Sequence, residues 1–169
     1  MLKLLGGALI VAASAGVGHV AAGRLQYRCR LLFGLQQGLL SWSNQIAYAD
    51  LPLSRAMAGA AAAAGAAAPL FRAAAQALAL GQGRTAGDIW RDCLADWPGG
   101  LQEKDRQILL ALGPQLGLTG RQEQLQMLEL TRLALAGQEQ EAAAYAGSFC
   151  RVWRCLSWGC GLVTALLLL

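Results

Sequence analysis

Few residues in this chain of 169 could do chemistry, and they do not converge on one place. The sole histidine, His19, sits in an apolar stretch that holds no carboxylate to pair with it. Histidine-based nucleophilic catalysis therefore has no base in the polar part of the chain, and a neutral imidazole near an interface accounts for His19 more simply than a proton relay. Asp88, Asp92 and Asp96 recur at i, i+4 and i+8, which lines them along one face of a helix. Such a ladder can hold a cation or dock a basic partner. With no second ligand cluster nearby and Arg91 beside it, a solvated acidic edge is the plainer reading. Docking onto basic residues of a partner is its functional reading.

Cys29, Cys93, Cys150, Cys155 and Cys160 form no C-x-x-C pair. The last three are spaced by five, so each is turned about 140° from the one before on a helix and they cannot share a face. They read as small apolar residues. There is no G-x-x-x-x-G-K-[ST] loop, H-E-x-x-H or G-x-S-x-G. No catalytic, cofactor or metal constellation is expected. The chemistry of this chain points to location and assembly.

The elements that would locate it are two uncharged apolar runs. Residues 4–23 and 155–169 contain no charged side chain, and basic residues stand just inside them: Arg24, Arg28 and Arg30 after the first, Arg151 and Arg154 before the second. The first run is long enough, about 30 Å as a helix, to cross a bilayer. The second is shorter than an ordinary span and starts among Trp153 and Trp158, so it crosses or dips into the membrane. Basic residues prefer the cytoplasmic side, which puts the middle of the chain inside and both ends outside. The arginines also follow the first run, where a secretory signal would carry its positive charge in front.

The net charge of +4 arises from Lys3 and these flanks: residues 31–150 hold eight basic and ten acidic side chains, a net of −2. A nucleic-acid binder needs a basic face on its folded domain, so nucleic acid is not expected as a partner.

The middle is helical by composition and period. No stretch alternates with period two, and Ala, Leu, Gln and Arg favour helix. Leu25, Leu32, Leu39 and Ile46 repeat every seven residues with Leu35 and Trp42 between them, which extends the first run into a long amphipathic rod ending at Leu51-Pro52. Arg28 interrupts that stripe near the membrane. The stripe packs inside its own bundle by preference, and self-association through it stays open. Pro52 opens an alanine-rich helix, Pro69 begins another through Leu80, and Gly81-Gln82-Gly83 turns the chain. Thr85 with Asp88 forms a capping box, and Thr119 with Gln122 a weaker one. Trp90 and Leu94 supply an inward face. Leu101, Ile108, Leu109 and Leu112 mark a further helix, and the last begins at Arg121. The expected organisation is all-α, with membrane helices at 1–23 and 155–169 around a cytoplasmic helical domain at 24–154.

Four stretches together resemble the stage III sporulation protein AB family of endospore-forming Firmicutes. They are the opening Met1-Leu2-Lys3-Leu4-Leu5-Gly6, Gln45 to Leu53 (similar to E-I-x-Y-G-x-T-P-L), Leu116 to Gln124 (similar to L-G-x-S-D-x-x-x-Q), and the close from Leu156 to Leu162 with the apolar tail. The likeness runs over essentially the whole chain and departs at Gln45, Ala49 and Thr119-Gly120, as in a divergent member. That family resembles the F-type platform proteins of type II secretion and type IV pilus systems, with small cytoplasmic helical bundles.

The resemblance implies a structural subunit, not an enzyme, of the channel-like complex between mother cell and forespore. It would sit in the mother-cell membrane around the forespore. Implied partners are the stage III sporulation AA ATPase and the other subunits of the AA-to-AH set, besides membrane lipid. Asp88, Asp92, Asp96 and Gln124 are the candidate partner contacts. Two other readings stand beside it: a small membrane enzyme or transporter using His19, and an exported helical protein whose first run is cleaved as a signal.

Overall fold

The computed structural model describes the backbone of residues 2–49, 51–81, 83–97, 99–117 and 120–168, and the side chains within 22–48 and 51–147 except at 82, 98, 118 and 119. Every regular element among the described residues is helical: α1 (Leu2–Ala49), α2 (Leu53–Ala63), α3 (Ala68–Leu80), α4 (Ala86–Ala95), α5 (Glu103–Leu110) and α6 (Arg121–Leu168), with single 3-10 turns at Gly65–Ala67 and Gly113–Gln115. Among the described residues no helix is long and apolar enough to cross a membrane. Apart from Ala22 and Gly23, the apolar runs fall on residues whose side chains lie outside the described ones.

The chain divides into two compact units, one of residues 1–27 with 141–169 and one of residues 28–140. The second unit contains the core, and it is narrower at both ends than the domain expected at 24–154.

The heptad stripe forms the spine of that core. Leu32, Leu35, Leu39 and Trp42 are buried, while Ile46 is half-buried where the helix runs out. The chain leaves α1 before Pro52, whose ring cannot continue a helix. Pro52 then stands as the N-cap of α2, and its carbonyl accepts from the amides of Arg55 and Ala56.

The two helices expected from Pro52 and from Pro69 are both present, as α2 and α3, but α2 ends at Ala63, short of the full alanine run. Gly65 takes a positive φ of 49°, which turns the chain after α2, and Pro69 lies in the first turn of α3. This break folds α3 back against α2. Alanine lets the backbones come close: Ala56, Ala60, Ala64, Ala67 and Ala74 are wholly buried. A Cβ added to Gly34 of α1 would lie 2.2 Å from the carbonyl oxygen of Ala64, so α1 rests directly on the backbone of the break.

Three aromatic rings join the helices. Trp90 of α4 meets Trp42 of α1 at a centroid distance of 6.2 Å and Phe71 of α3 at 6.0 Å, both tilted, the range in which ring quadrupoles attract. The Trp90 indole donates to the Leu109 carbonyl at 2.7 Å, which satisfies a buried donor and ties α4 to the end of α5.

Candidate partner-docking surface

Positions spaced three and four apart on the last part of α1 share one face. Gln37, Leu40, Ser41, Asn44, Gln45 and Tyr48 line an open groove of about 530 Å³ there, closed on one side by Ala63 at the end of α2. Gln45 donates to the Ser41 hydroxyl at 3.2 Å. A Cβ on Gly59 would fall 2.2 Å from the Gln45 amide nitrogen, so the glycine on α2 makes room for this side chain. The lining is neutral: three amides, a hydroxyl, a leucine and a tyrosine. It suits hydrogen bonding to a peptide surface and holds no acid, base or nucleophile arranged for catalysis. Tyr48 is 88% exposed at the groove's end, a large rigid ring of the type that anchors protein interfaces.

Arg121, at the start of α6, donates to the carbonyl of Ala47. α1 has no basic residue in its own last turn, so Arg121 supplies the positive charge that complements the negative end of that helix. The contact also joins segments 45–53 and 116–124, two of the stretches that carry the family resemblance.

The aspartate ladder is on the surface but is partly neutralised. Asp88 pairs with Arg91 at 3.0 Å, and Asp92 pairs with Arg84. The Thr85 hydroxyl donates to Asp88 at 2.6 Å and accepts from the Asp88 amide at 3.1 Å. That hydroxyl bond and the nearby Arg91 hold the Asp88 carboxyl below its ordinary range, and the carboxylate of Asp92 raises Arg84. Burial, with Asp92 and Asp96 close by, pushes the Cys93 thiol up, which disfavours the reactive thiolate. Asp96 is the exposed C-cap of α4. No set of three His, Cys, Asp or Glu side chains among the described residues could hold a metal ion. Gln124 is half-buried on α6, and none of the hydrogen bonds described joins it to the aspartates.

Of the membrane-flanking arginines, Arg24 and Arg30 are exposed, and Arg151 and Arg154 lie outside the described side chains. Arg28 has another place. It is buried and bonds Asp105 of α5 through Nε at 3.0 Å and Nη2 at 2.9 Å. Its charge is therefore spent inside the helical unit and is not presented to lipid; the break it makes in the heptad stripe serves this buried pair.

Asp105, wholly buried, also accepts from the Gln102 amide at 3.0 Å, completing a reciprocal capping box at the start of α5. Glutamine is an uncommon N-cap, so the box was hidden in the sequence; the Gln102-x-x-Asp105 spacing ahead of Ile108 and Leu109 is its only local signal. The box expected at Thr85 is present in its threonine half, through the Asp88 amide. Thr119, of the second expected box, lies outside the described residues.

The family model described as stage III sporulation protein AB matches residues 3–169. A solved structure entitled "Stage III sporulation protein AB (SpoIIIAB)" is similar at 25% identity with a TM-score of 0.65, over 72% of this chain and 97% of that chain. No curated protein matches. With nearly every residue matched by the family model and the helical fold shared, the chain belongs to the stage III sporulation protein AB family.

Proposed function

We propose that this chain is a non-enzymatic, membrane-anchored subunit of the sporulation complex between mother cell and forespore. Its helical domain lies in the mother-cell cytoplasm and acts as a platform that meets the stage III sporulation AA ATPase, with other members of the AA-to-AH set beside it. Family membership supports the sporulation role. The basic residues inside both apolar runs support the anchoring and the orientation, with Arg24, Arg30, Arg151 and Arg154 as the flanking charges. Confinement to a plane raises the effective concentration of the domain for its lateral partners.

The observation that carries the platform role is the amide-lined groove ending at Tyr48. It occupies the last part of α1, and the first apolar run occupies the beginning of the same helix. A neutral groove with an exposed aromatic anchor has the chemistry of a protein-docking site. The acidic ladder on α4, with its arginines already paired, is a secondary contact at most, through Asp96 and the outer oxygens of Asp88 and Asp92.

Co-purification from sporulating cells tests this reading. The tagged chain should retain the ATPase, and Tyr48→Ala should reduce that retention at least tenfold at equal expression, a loss of about 1.4 kcal/mol. Full retention by Tyr48→Ala together with Asn44→Ala would overturn the groove as the docking site.

A further inference from the structure

The buried pair of Arg28 and Asp105 fixes where the hairpin of α4 and α5 stands along α1. Arg28 is five positions past Gly23, the end of the first apolar run. α1 is unbroken there, so those five residues rise about 8 Å, close to the depth of the headgroup layer on one side of a bilayer. Asp105 bonds Arg28 and accepts from the Gln102 amide as well. The entry to α5 is therefore held at the level of Arg28.

From that level α5 runs away from the apolar run. The Leu109 carbonyl, near its end, accepts from Trp90, and Trp90 packs on Trp42, fourteen positions beyond Arg28. α4 runs the opposite way beside it, because Trp90 bonds at Leu109 while the earlier Gly87 lies against the backbone of the later Gly113. The two helices thus direct their linking loop back toward the beginning of α1.

That loop carries no charge from Trp97 to Gln102. Trp97 and Leu101 are half-buried and Gly100 is exposed. A Cβ on Gly99 would overlap the Trp97 indole nitrogen, so the glycine lets the ring lie over the loop. Indole, apolar in body with one donor at its edge, is a side chain enriched where lipid meets water. The flanks hold Asp96 and Glu103 against Lys104 and Arg106, a balance of zero, so charge does not choose the partner. Placement and the indole do.

We infer that Trp97 and Leu101 form a membrane foothold, seated in the lipid headgroup layer beside the first apolar run; this rests on the anchoring proposed above. Chain length names the occupant. The apolar run keeps lipid within about 8 Å of the level at which the loop is held, a gap too narrow for another protein domain. The foothold also bears on the docking groove. Tyr48 is twenty positions beyond Arg28 on the same helix, about 30 Å farther along its axis, and a hairpin seated on lipid holds that end out toward the ATPase.

The test uses the full chain with its five cysteines replaced by serine, reconstituted in vesicles of phosphatidylethanolamine and phosphatidylglycerol. A fluorophore is attached at Gly100→Cys, at Ala111→Cys, exposed at the far end of α5, or at Val11→Cys in the apolar run. Nitroxide lipids quench it, labelled on the headgroup for the first two sites and within the acyl chain for the third. Quenching at 100 should exceed that at 111 at least threefold. Trp97→Ala should cut the quenching at 100 by at least half, and Leu101→Ser gives the same reading where the alanine variant unfolds.

Equal quenching at 100 and 111 would overturn the foothold. So would quenching at 100 that neither variant lowers, or a probe at 100 shielded from aqueous iodide yet untouched by lipid nitroxide, which marks a second copy over the loop. Val11 scores the anchoring separately: no acyl-chain quenching there defeats that reading, and the contrast of 100 with 111 still decides whether the loop meets lipid.

Discussion

Arg28 of α1 and Asp105 of α5, 77 positions apart, are joined by two parallel hydrogen bonds with both side chains buried. Fork-to-carboxylate geometry of this kind fixes direction as well as distance. Asp105 at the same time holds the Gln102 amide. One carboxylate thus sets the start of α5 and the place where it meets α1.

Removing either partner leaves a buried charge without its counterion. Asp105→Ala and Arg28→Ala should each lower stability by about 3–5 kcal/mol. The double variant Arg28→Met with Asp105→Leu should lose less than the two single losses added together, because no orphan charge remains. Denaturant unfolding of the detergent-solubilised chain measures this. A loss within 0.5 kcal/mol (roughly the scatter of surface substitutions) for Asp105→Ala would show that the pair does not hold the unit.

Two glycines should respond in opposite senses to alanine. At Gly34 the new methyl would sit 2.2 Å from a backbone oxygen of Ala64, which cannot swing aside, so Gly34→Ala should destabilise by about 1–3 kcal/mol or more. At Gly137 the methyl meets open space. Gly137→Ala should stabilise by up to about 1 kcal/mol. Thermal unfolding of the two variants side by side reads both signs.

The Thr85 cap gives a pH-dependent outcome. Asp88 titrates below its ordinary range because of the Thr85 hydroxyl and Arg91. A carboxyl with a lowered folded pKa contributes stability above its unfolded value and loses it as pH falls through the folded one, here below about pH 4. Thr85→Ala should move the Asp88 titration upward and cost about 1 kcal/mol of helix stability near neutrality. Carboxyl chemical shifts followed against pH check it; an unmoved Asp88 midpoint would contradict it.

Orientation is open to direct measurement. Reporters fused at Ala60 of α2 and Gln140 of α6 should both report the cytoplasmic side in intact cells. Either one on the outer face would break the proposed topology.

Much of this fold was legible in the chain itself. The stripe from Leu32 to Trp42 and the proline stops required nothing beyond local pattern, and α6 begins at Arg121 as its period indicates. The start of α3 beside Pro69 was legible as well, but the end of α2 at Ala63 was harder to see, because an alanine tract is helical at every position and the positive φ of Gly65 follows it. Arg28 was misplaced for a different reason. Its position beside an apolar run gives the membrane a claim on it, and its partner is on α5, which no local pattern reveals. The groove at Tyr48 depends on α2 ending against α1, a tertiary fact. Of its lining, only Gln45 and Tyr48 were visible, as part of a family-like segment.

The measurement that bears most directly on the proposed role places a photoreactive amino acid at Tyr48 in the full chain and irradiates sporulating cells. A covalent adduct with the stage III sporulation AA ATPase is expected, with none from the same probe at Glu103 on α5. No ATPase adduct at Tyr48, or an equal yield from Glu103, would contradict the account.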